Sequence, residues 1–313
     1  MSSFCLALDI GGTKIAAGVI SEAGEILFSS SIATPQPNPW KPDSPEIIFE
    51  EVASLLEKIS GEFAAQYPHH VLEVCGVGCG GPMARFGESV SPLNIPSWRQ
   101  FPLRQRLEAR FSQKVAIDND AKALALGEFW QGGAKNLRNF IAVVVSTGVG
   151  GGIFIDGRLL DGESGNCGHL GHIIVEPQGR SCACGSRGCL EAEISGTAVQ
   201  AIIGRPASQA DDAMKLRVGQ LAGRAIASVA NLLDLKVALV AGSVALGYGD
   251  AFFRAAQQEL DNCARLDFSA GAQIRPGKLG ANGPLIGAGA VGFRSLGKLD
   301  TNTLESSATG TNK

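Results

Sequence analysis

The chain presents one short unit twice. Phe4 to Ile10 is an apolar run that closes in Asp9-Ile10-Gly11-Gly12-Thr13, and Lys14 to Ile20 resumes as a second apolar run. In the second half, Ile141 to Val145 closes in Ser146-Thr147-Gly148-Val149-Gly150-Gly151-Gly152, and Ile153 to Ile155 follows. A short apolar run bounded by glycine reads as a buried strand. Two strand–turn–strand units, one in each half, predict an α/β protein of two related lobes facing a cleft. In the first half, Glu22-Ala23-Gly24 turns into Ile26 to Ala33 and extends the unit to an antiparallel meander. Buried strands are predicted at Val74 to Cys79, Lys114 to Ile117 and Val237 to Val240. A helix is predicted after the Pro-rich stretch from Pro35 to Pro42, capped by Ser44 with Pro45 at its first position. Its Ile48, Val52, Leu55, Leu56 and Ile59 share one face. Further helices are predicted at Ala121 to Trp130, Val218 to Leu233, Ala251 to Cys263 and Leu285 to Leu296.

Gly-, Ser- and Thr-rich turns offer backbone N–H groups and hydroxyls to an anion, so two of them can grip one polyphosphate. Each can also be a plain hairpin turn. Neither is a P-loop, and neither opens a helix as a dinucleotide fingerprint must. Asp9 can hold Mg2+ through water beside phosphates, or it can cap its own turn. Asp118-Asn119-Asp120 ends a predicted strand where a helix begins, a natural place for catalytic groups. A sugar hydroxyl is a poor nucleophile, and a placed carboxylate can take its proton as the bond to phosphorus forms. Asp120 is the candidate base and Asn119 a sugar ligand; helix capping is the competing use of both.

A third feature lies between Gly168 and Glu191. His172, Cys182, Cys184 and Cys189 are three thiols and one imidazole at spacing that can close a tetrahedral zinc site. Two of the four histidines, His169 and His172, fall in this stretch with Glu191. The alternatives are disulfides or small buried thiols. The N-terminus has no basic region followed by an apolar one, which points to the cytoplasm and hence to metal over disulfide. Four protein ligands leave no open position, so the zinc is structural. Cys5, Cys75, Cys79 and Cys263 are predicted core residues. Across 313 residues the net charge is -3, which gives no footprint for nucleic acid. No apolar run is long enough to span a membrane.

Taken together, these motifs resemble the ROK family of repressors and sugar kinases. They include Asp9-Ile10-Gly11-Gly12-Thr13-Lys14, Gly81-Pro82, Asn119-Asp120-Ala121, Ser146 to Gly152 and Cys-x-Cys-Gly-x-x-Gly-Cys. The resemblance runs from Phe4 to about Leu296. It implies an actin-like ATPase fold with two ribonuclease-H-like lobes around a cleft, plus a structural zinc knot. It places residues 1–118 with 285–299 in an N-terminal lobe and 119–284 in a C-terminal lobe; the polar tail, 300–313, is expected to be disordered. The implied activity is ATP-dependent transfer to the 6-hydroxyl of a hexose or N-acylhexosamine, with Mg2+, in a homodimer or higher homo-oligomer. Asp120 matches the base, and Asn94, Asn119, His172 and Glu191 match sugar contacts. Gly11, Gly12, Thr13, Lys14, Thr147 and Gly148 match the phosphate turns, and Gly242 a nucleotide contact whose usual glycine partner is Ala241 here. His169 stands where many glucokinases of the family carry Glu. Members that phosphorylate N-acetylmannosamine resemble this chain in having His there, and an imidazole can donate to an acetamido carbonyl where a carboxylate cannot, so N-acetylmannosamine is placed ahead of glucose; a neutral imidazole can also accept from glucose hydroxyls. A sugar-responsive regulator is disfavoured, because such members carry a helix-turn-helix segment before the first turn.

Overall fold

The first sheet is built as the sequence pattern demands, with its apolar strands buried from the start. The computed structural model describes residues 3–35 and 45–299. Residues 36–42 of the Pro-rich loop, the Ser44 cap and the tail 300–313 lie outside the described residues. Strands β1 (Phe4–Ile10), β2 (Lys14–Ser21) and β3 (Ile26–Ala33) form the antiparallel meander. Helix α1 (Pro45–Gln66) lays Ile48, Val52, Leu56 and Ile59 on β2 and β3. Strands β4 (Leu72–Cys79) and β5 (Lys114–Asn119) then run parallel to β1, giving the order β3-β2-β1-β4-β5. The Gly81–Pro82 peptide is cis. Helix α2 (Leu103–Arg110) precedes β5, and helix α3 (Asp120–Gln131) leaves it without a loop.

The second sheet repeats this plan. Strands β6 (Phe140–Val145), β7 (Val149–Ile155) and β8 (Arg158–Leu159) are antiparallel. Strands β9 (Val237–Ala241) and β10 (Gln273–Pro276) add in parallel, in the order β10-β9-β6-β7-β8. Helices α4 (Leu190–Ile194), α5 (Gly196–Ile203) and α6 (Asp212–Leu233) come between β8 and β9. Helices α7 (Ser243–Tyr248) and α8 (Asp250–Cys263) follow β9, and α6 packs along α8. The internal repeat read from the glycine turns is therefore a repeat of sheet topology.

The last helix, α9 (Gly283–Ser295), returns to the first sheet and packs on β1, β4 and α3. Its small residues permit this. A Cβ on Gly287 would lie 2.6 Å from Ala123 O, so α9 and α3 touch backbone to backbone. Among the described residues two compact units result: 3–35 and 45–136 with 161–167 and 281–299, and 137–160 with 168–280. The expected division at 118/119 is thus moved. Helix α3 stays with the first unit because its partner is α9. The segment 161–167 joins it because Asp161 pairs with Lys122 and Arg294.

Two further readings are corrected. Val149 to Gly152 is strand, not turn: the glycines pair with Ala142, Val143 and Val144 of β6, and the turn is confined to residues 146–148. Cys5, Cys75 and Cys79 are core residues, but Cys263, at the end of α8, is exposed. No helix among the described residues is long and apolar enough to cross a membrane.

Candidate active site

The candidate residues fall into two groups, one in each unit. In the first unit they gather at the ends of β1 and β5. The turn after β1 is tight, with Gly11 N–H donating to Lys14 O at 3.0 Å. The end of β3 pins it: Thr34 Oγ1 donates to Gly11 O at 2.7 Å, and Thr34 N–H to Thr13 O at 3.1 Å. Gly12 packs on Asn94, and a Cβ there would fall 2.5 Å from Asn94 Cβ. The proposed sugar contact and the proposed phosphate turn are therefore in direct contact.

Asp9 sits one residue before the end of β1, in register with Gly78 of β4, which is itself in register with Asp118 of β5. Burial pushes its carboxyl up to about 7, the charge of Asp120 adds to the rise, and Lys14 opposes it. Two carboxyls close together, one of them partly buried, are a donor set that suits a divalent cation. Asn119 caps α3, its Oδ1 accepting from Ala121 N at 3.1 Å and Lys122 N at 3.4 Å. The cap occupies that oxygen and leaves the amide nitrogen to donate. Asp120, the first residue of α3, is exposed. Asp118 is tied down by Lys122 Nζ at 2.8 Å, so the cluster holds one structural and one exposed acid.

The raised pKa of Asp9 has a consequence for stability. A carboxyl that binds its proton more tightly when folded stabilises fully below pH about 4, and that stability is lost as pH rises toward about 7. Asp9→Asn removes the penalty. The ligand-free variant should melt higher than wild type at pH 8, with a much smaller gain at pH 5. Equal shifts at both pH values in thermal melts would show that Asp9 is not the titrating group.

In the second unit the remaining candidates gather around the start of β7. Glu191, in the first turn of α4, accepts from Val149 N at 3.0 Å through Oε2. The rings of His169 and His172 lie nearly parallel, with centroids 6.1 Å apart. Thr147 O accepts from Thr197 Oγ1 at 3.1 Å, and Ser146 Oγ meets Ser243 Oγ at 3.0 Å, which fixes the turn around Gly148. Gly242 has φ 101°, and a Cβ there would collide with Val145 O. Its glycine identity therefore has a backbone cause whether or not a nucleotide lies near it.

The ligating atoms of His172, Cys182, Cys184 and Cys189 all lie within 4.8 Å of one another. Cys184 Sγ is 3.7 Å from Cys189 Sγ, and His172 Nδ1 is 3.7 Å from Cys182 Sγ. A tetrahedron with Zn–S of about 2.3 Å sets its sulfurs about 3.8 Å apart, whereas a disulfide needs about 2.05 Å. The donor set and its dimensions fit zinc. Burial raises the thiols of Cys182 and Cys189, while the backbone N–H of Ser186 lowers that of Cys184. A divalent cation would favour the thiolate throughout.

A family model described as the ROK family matches residues 5–292. The chain belongs to the ROK family. The glucokinase of Streptomyces coelicolor is 40% identical over 194 residues, a match that spans 62% of this chain and only 57% of that protein. The N-acetylmannosamine kinase of Yersinia pseudotuberculosis is 35% identical over 259 residues, 78% of this chain and 84% of that one. Among solved structures, the ROK family glucokinase from Streptomyces griseus in complex with glucose and AMPPNP matches with a TM-score of 0.79 at 28% identity, over 94% of this chain and 100% of that one. The expected actin-like ATPase fold and the family resemblance are thereby borne out.

The ROK motifs did not reveal Glu193. This buried carboxylate accepts from Arg180 N at 2.6 Å and from Arg217 Nη2 at 2.8 Å, tying the cysteine loop to α6. The Glu191-x-Glu193 pair just after Cys189 was the one signal available for it.

Proposed function

We propose that this ROK chain is an ATP-dependent sugar kinase that phosphorylates the 6-hydroxyl of a hexose or N-acylhexosamine, with N-acetylmannosamine ahead of glucose. The observation that carries the reading is the head of α3. Asp120 is exposed there, close enough to the partly buried Asp9 to raise its pKa, on the same sheet as the Gly11–Lys14 turn with Asn94 packed on it. Asp120 takes the proton from the 6-hydroxyl as that oxygen attacks the γ-phosphorus and the bond from phosphorus to the bridging oxygen of ADP breaks, ADP leaving with the bond's electron pair. Asn119 donates to a sugar hydroxyl through its amide nitrogen, and Asn94 contacts the sugar beside the turn. Glu191 accepts from sugar hydroxyls with the oxygen that Val149 does not use. His172 holds the knot through Nδ1 and offers Nε2 to the sugar. Gly11, Gly12, Thr13 and Lys14, with Thr147 and Gly148, hold the phosphates, and Gly242 lies toward the nucleoside. Asp9 would hold Mg2+ through water, and the ion would offset phosphate charge. The AMPPNP and glucose in the Streptomyces griseus complex support the nucleotide and sugar classes. The enzyme works as a homodimer or higher homo-oligomer.

His169 sets the choice of sugar. Its imidazole donates to the acetamido carbonyl of N-acetylmannosamine. Glucose is the second reading, favoured by the 40% identity to a glucokinase. The test is kcat/KM for glucose, mannose, N-acetylglucosamine and N-acetylmannosamine in wild type and His169→Glu. Wild type should prefer N-acetylmannosamine, and the variant should shift toward glucose by about tenfold, the worth of one exchanged polar contact. A wild-type preference for glucose would overturn the role given to His169. No sugar-dependent ATP turnover at all would overturn the kinase reading.

A further inference from the structure

The first unit contains a cavity of about 450 Å³ along the outer edge of β5. None of the residues assigned above to sugar, nucleotide or zinc lines it. Its volume is in the range of small-molecule sites, about 300–1,000 Å³. Strand β5 ends the sheet, and its residues 114–118 line the cavity wall in succession. Val115, Ile117, Leu126 and Val291 make that wall largely apolar.

The charge of the lining is opposite to that of the chain. Arg85, Arg104, Lys114, Lys122 and Arg294 line the cavity, against the carboxylates of Asp118 and Asp161 alone. That is an excess of three positive charges in a chain whose net charge is -3. The two acids are already matched. Lys122 Nζ, on a side chain only 2% exposed, is 2.8 Å from each of them, and Arg294 is 3.1 Å from Asp161. The excess lies at the rim. Arg85 and Lys114 enter no ion pair among the described residues; Lys114 donates to Ser295 O at 3.3 Å and Arg85 lies 4.9 Å from the Phe86 ring centroid. Arg104 bonds Phe86 O at 3.1 Å, and its carboxylate neighbour Glu88 is 3.9 Å away and 67% exposed.

Phe86 is a second, independent pointer. It lines the cavity, is 66% exposed, and has φ 60°. A large aromatic in the left-handed region is a genuine backbone outlier, and such strain clusters at ligand clamps. The fold thus presents an exposed aromatic ring, with Arg85 over it and Arg104 bonded to its carbonyl, to a cavity with an apolar wall and a cationic rim.

The geometry points to a second binding site, for a small amphipathic anion whose apolar body lies between Phe86 and β5 and whose phosphate or carboxylate head meets Arg85, Arg104 and Lys114. Guanidinium groups in this arrangement suit oxyanion heads. The site is wired to the head of α3. Asp118 lines the cavity and accepts from Asn119 N–H at 2.8 Å, while Lys122 lies one half-turn beyond Asp120. Negative charge brought to the rim perturbs the ion pairs that Lys122 and Arg294 make with Asp118, and with them the strand–helix junction that carries Asp120, so an occupant lowers turnover. That last step rests on the kinase reading; the binding step does not.

The test uses 1-naphthyl phosphate as probe and 1-naphthol as its neutral counterpart, with the full chain and neither sugar nor ATP. Calorimetry should give one site per chain for the phosphate, with naphthol at least about tenfold weaker. Arg104→Glu/Lys114→Glu should weaken the phosphate by about tenfold or more, and so should Phe86→Ala, which removes an exposed side chain and spares the fold. Amide exchange should slow across 114–117 on binding and quicken at 118–122. No saturable binding, equal binding of naphthol, or unchanged affinity in both variants would overturn the site. Binding with unchanged exchange at 118–122 and unchanged sugar-dependent turnover would overturn the coupling to Asp120.

Discussion

Asp120→Asn should bind sugar almost as wild type does and lose about 10²–10⁴-fold in kcat, the usual worth of a placed general base. The substitution is nearly isosteric and the side chain is exposed, so no core contact is removed. A carboxylate in the first turn of a helix stabilises it by about 0.3–1 kcal/mol, so the fold should weaken only slightly. The sugar contacts assigned to Asn94, Asn119, His169, His172 and Glu191 remain. What disappears is the proposed acceptor for the hydroxyl proton, needed only as the new bond forms. The loss should therefore appear in kcat and kcat/KM alike, with the calorimetric sugar affinity held. The same variant should also lower the pKa of Asp9, because the Asp120 charge helps to raise it. Activity within about tenfold of wild type would be too much for a lost general base and would remove Asp120 from that role.

The head of α3 also shows where sequence reading stops. The two glycine turns were legible because strands and turns recur at matching places in the two halves, and the structure turns that recurrence into two sheets of the same order. The candidate acids were legible because Asp118-Asn119-Asp120 ends an apolar run. The division of labour among them was not. Lys122 claims Asp118 for an ion pair shared with Asp161, 39 residues away from it along the chain. Such a pairing leaves no local pattern. The unit boundary failed for the same reason, since α3 is held in the first unit by a helix that begins at Gly283. Strand β10 was missed because it has four residues, one of them Pro276, and borrows its stability from β9. The extent of β7 was misjudged because consecutive glycines read as turn, although close approach of neighbouring backbone can favour them in a strand: a Cβ on Gly151 would lie 3.2 Å from Gly168 O of the loop after β8 and 3.3 Å from Ala142 O of β6. The cavity beside β5 had no sequence signal, because its cations come from segments scattered between Arg85 and Arg294.

Cys184→Ala should abolish zinc binding and raise the KM for sugar by at least about tenfold, the lower end of what even outer-shell partners of a metal site contribute. Cys184 is the cleanest ligand to remove. Its side chain is exposed, whereas Cys189 is buried at the position just before α4, so replacing Cys189 would confound metal loss with packing loss. The effect reaches the sugar through two of its proposed contacts. His172 faces Cys182 through Nδ1, so its ring orientation depends on the knot. Glu191 follows Cys189 by two residues, on the short helix that Cys189 begins. Loosening the knot therefore moves a donor and an acceptor together, while Asp120, on the other sheet, is untouched. Global unfolding is not expected, because Glu193 ties Arg180 and Arg217 together independently of any metal. The change should fall mainly on KM, and a chelator applied to wild type should reproduce it. One zinc per chain retained by the variant, or zinc lost with KM unchanged, would separate the knot from the sugar site and leave it a purely architectural clasp.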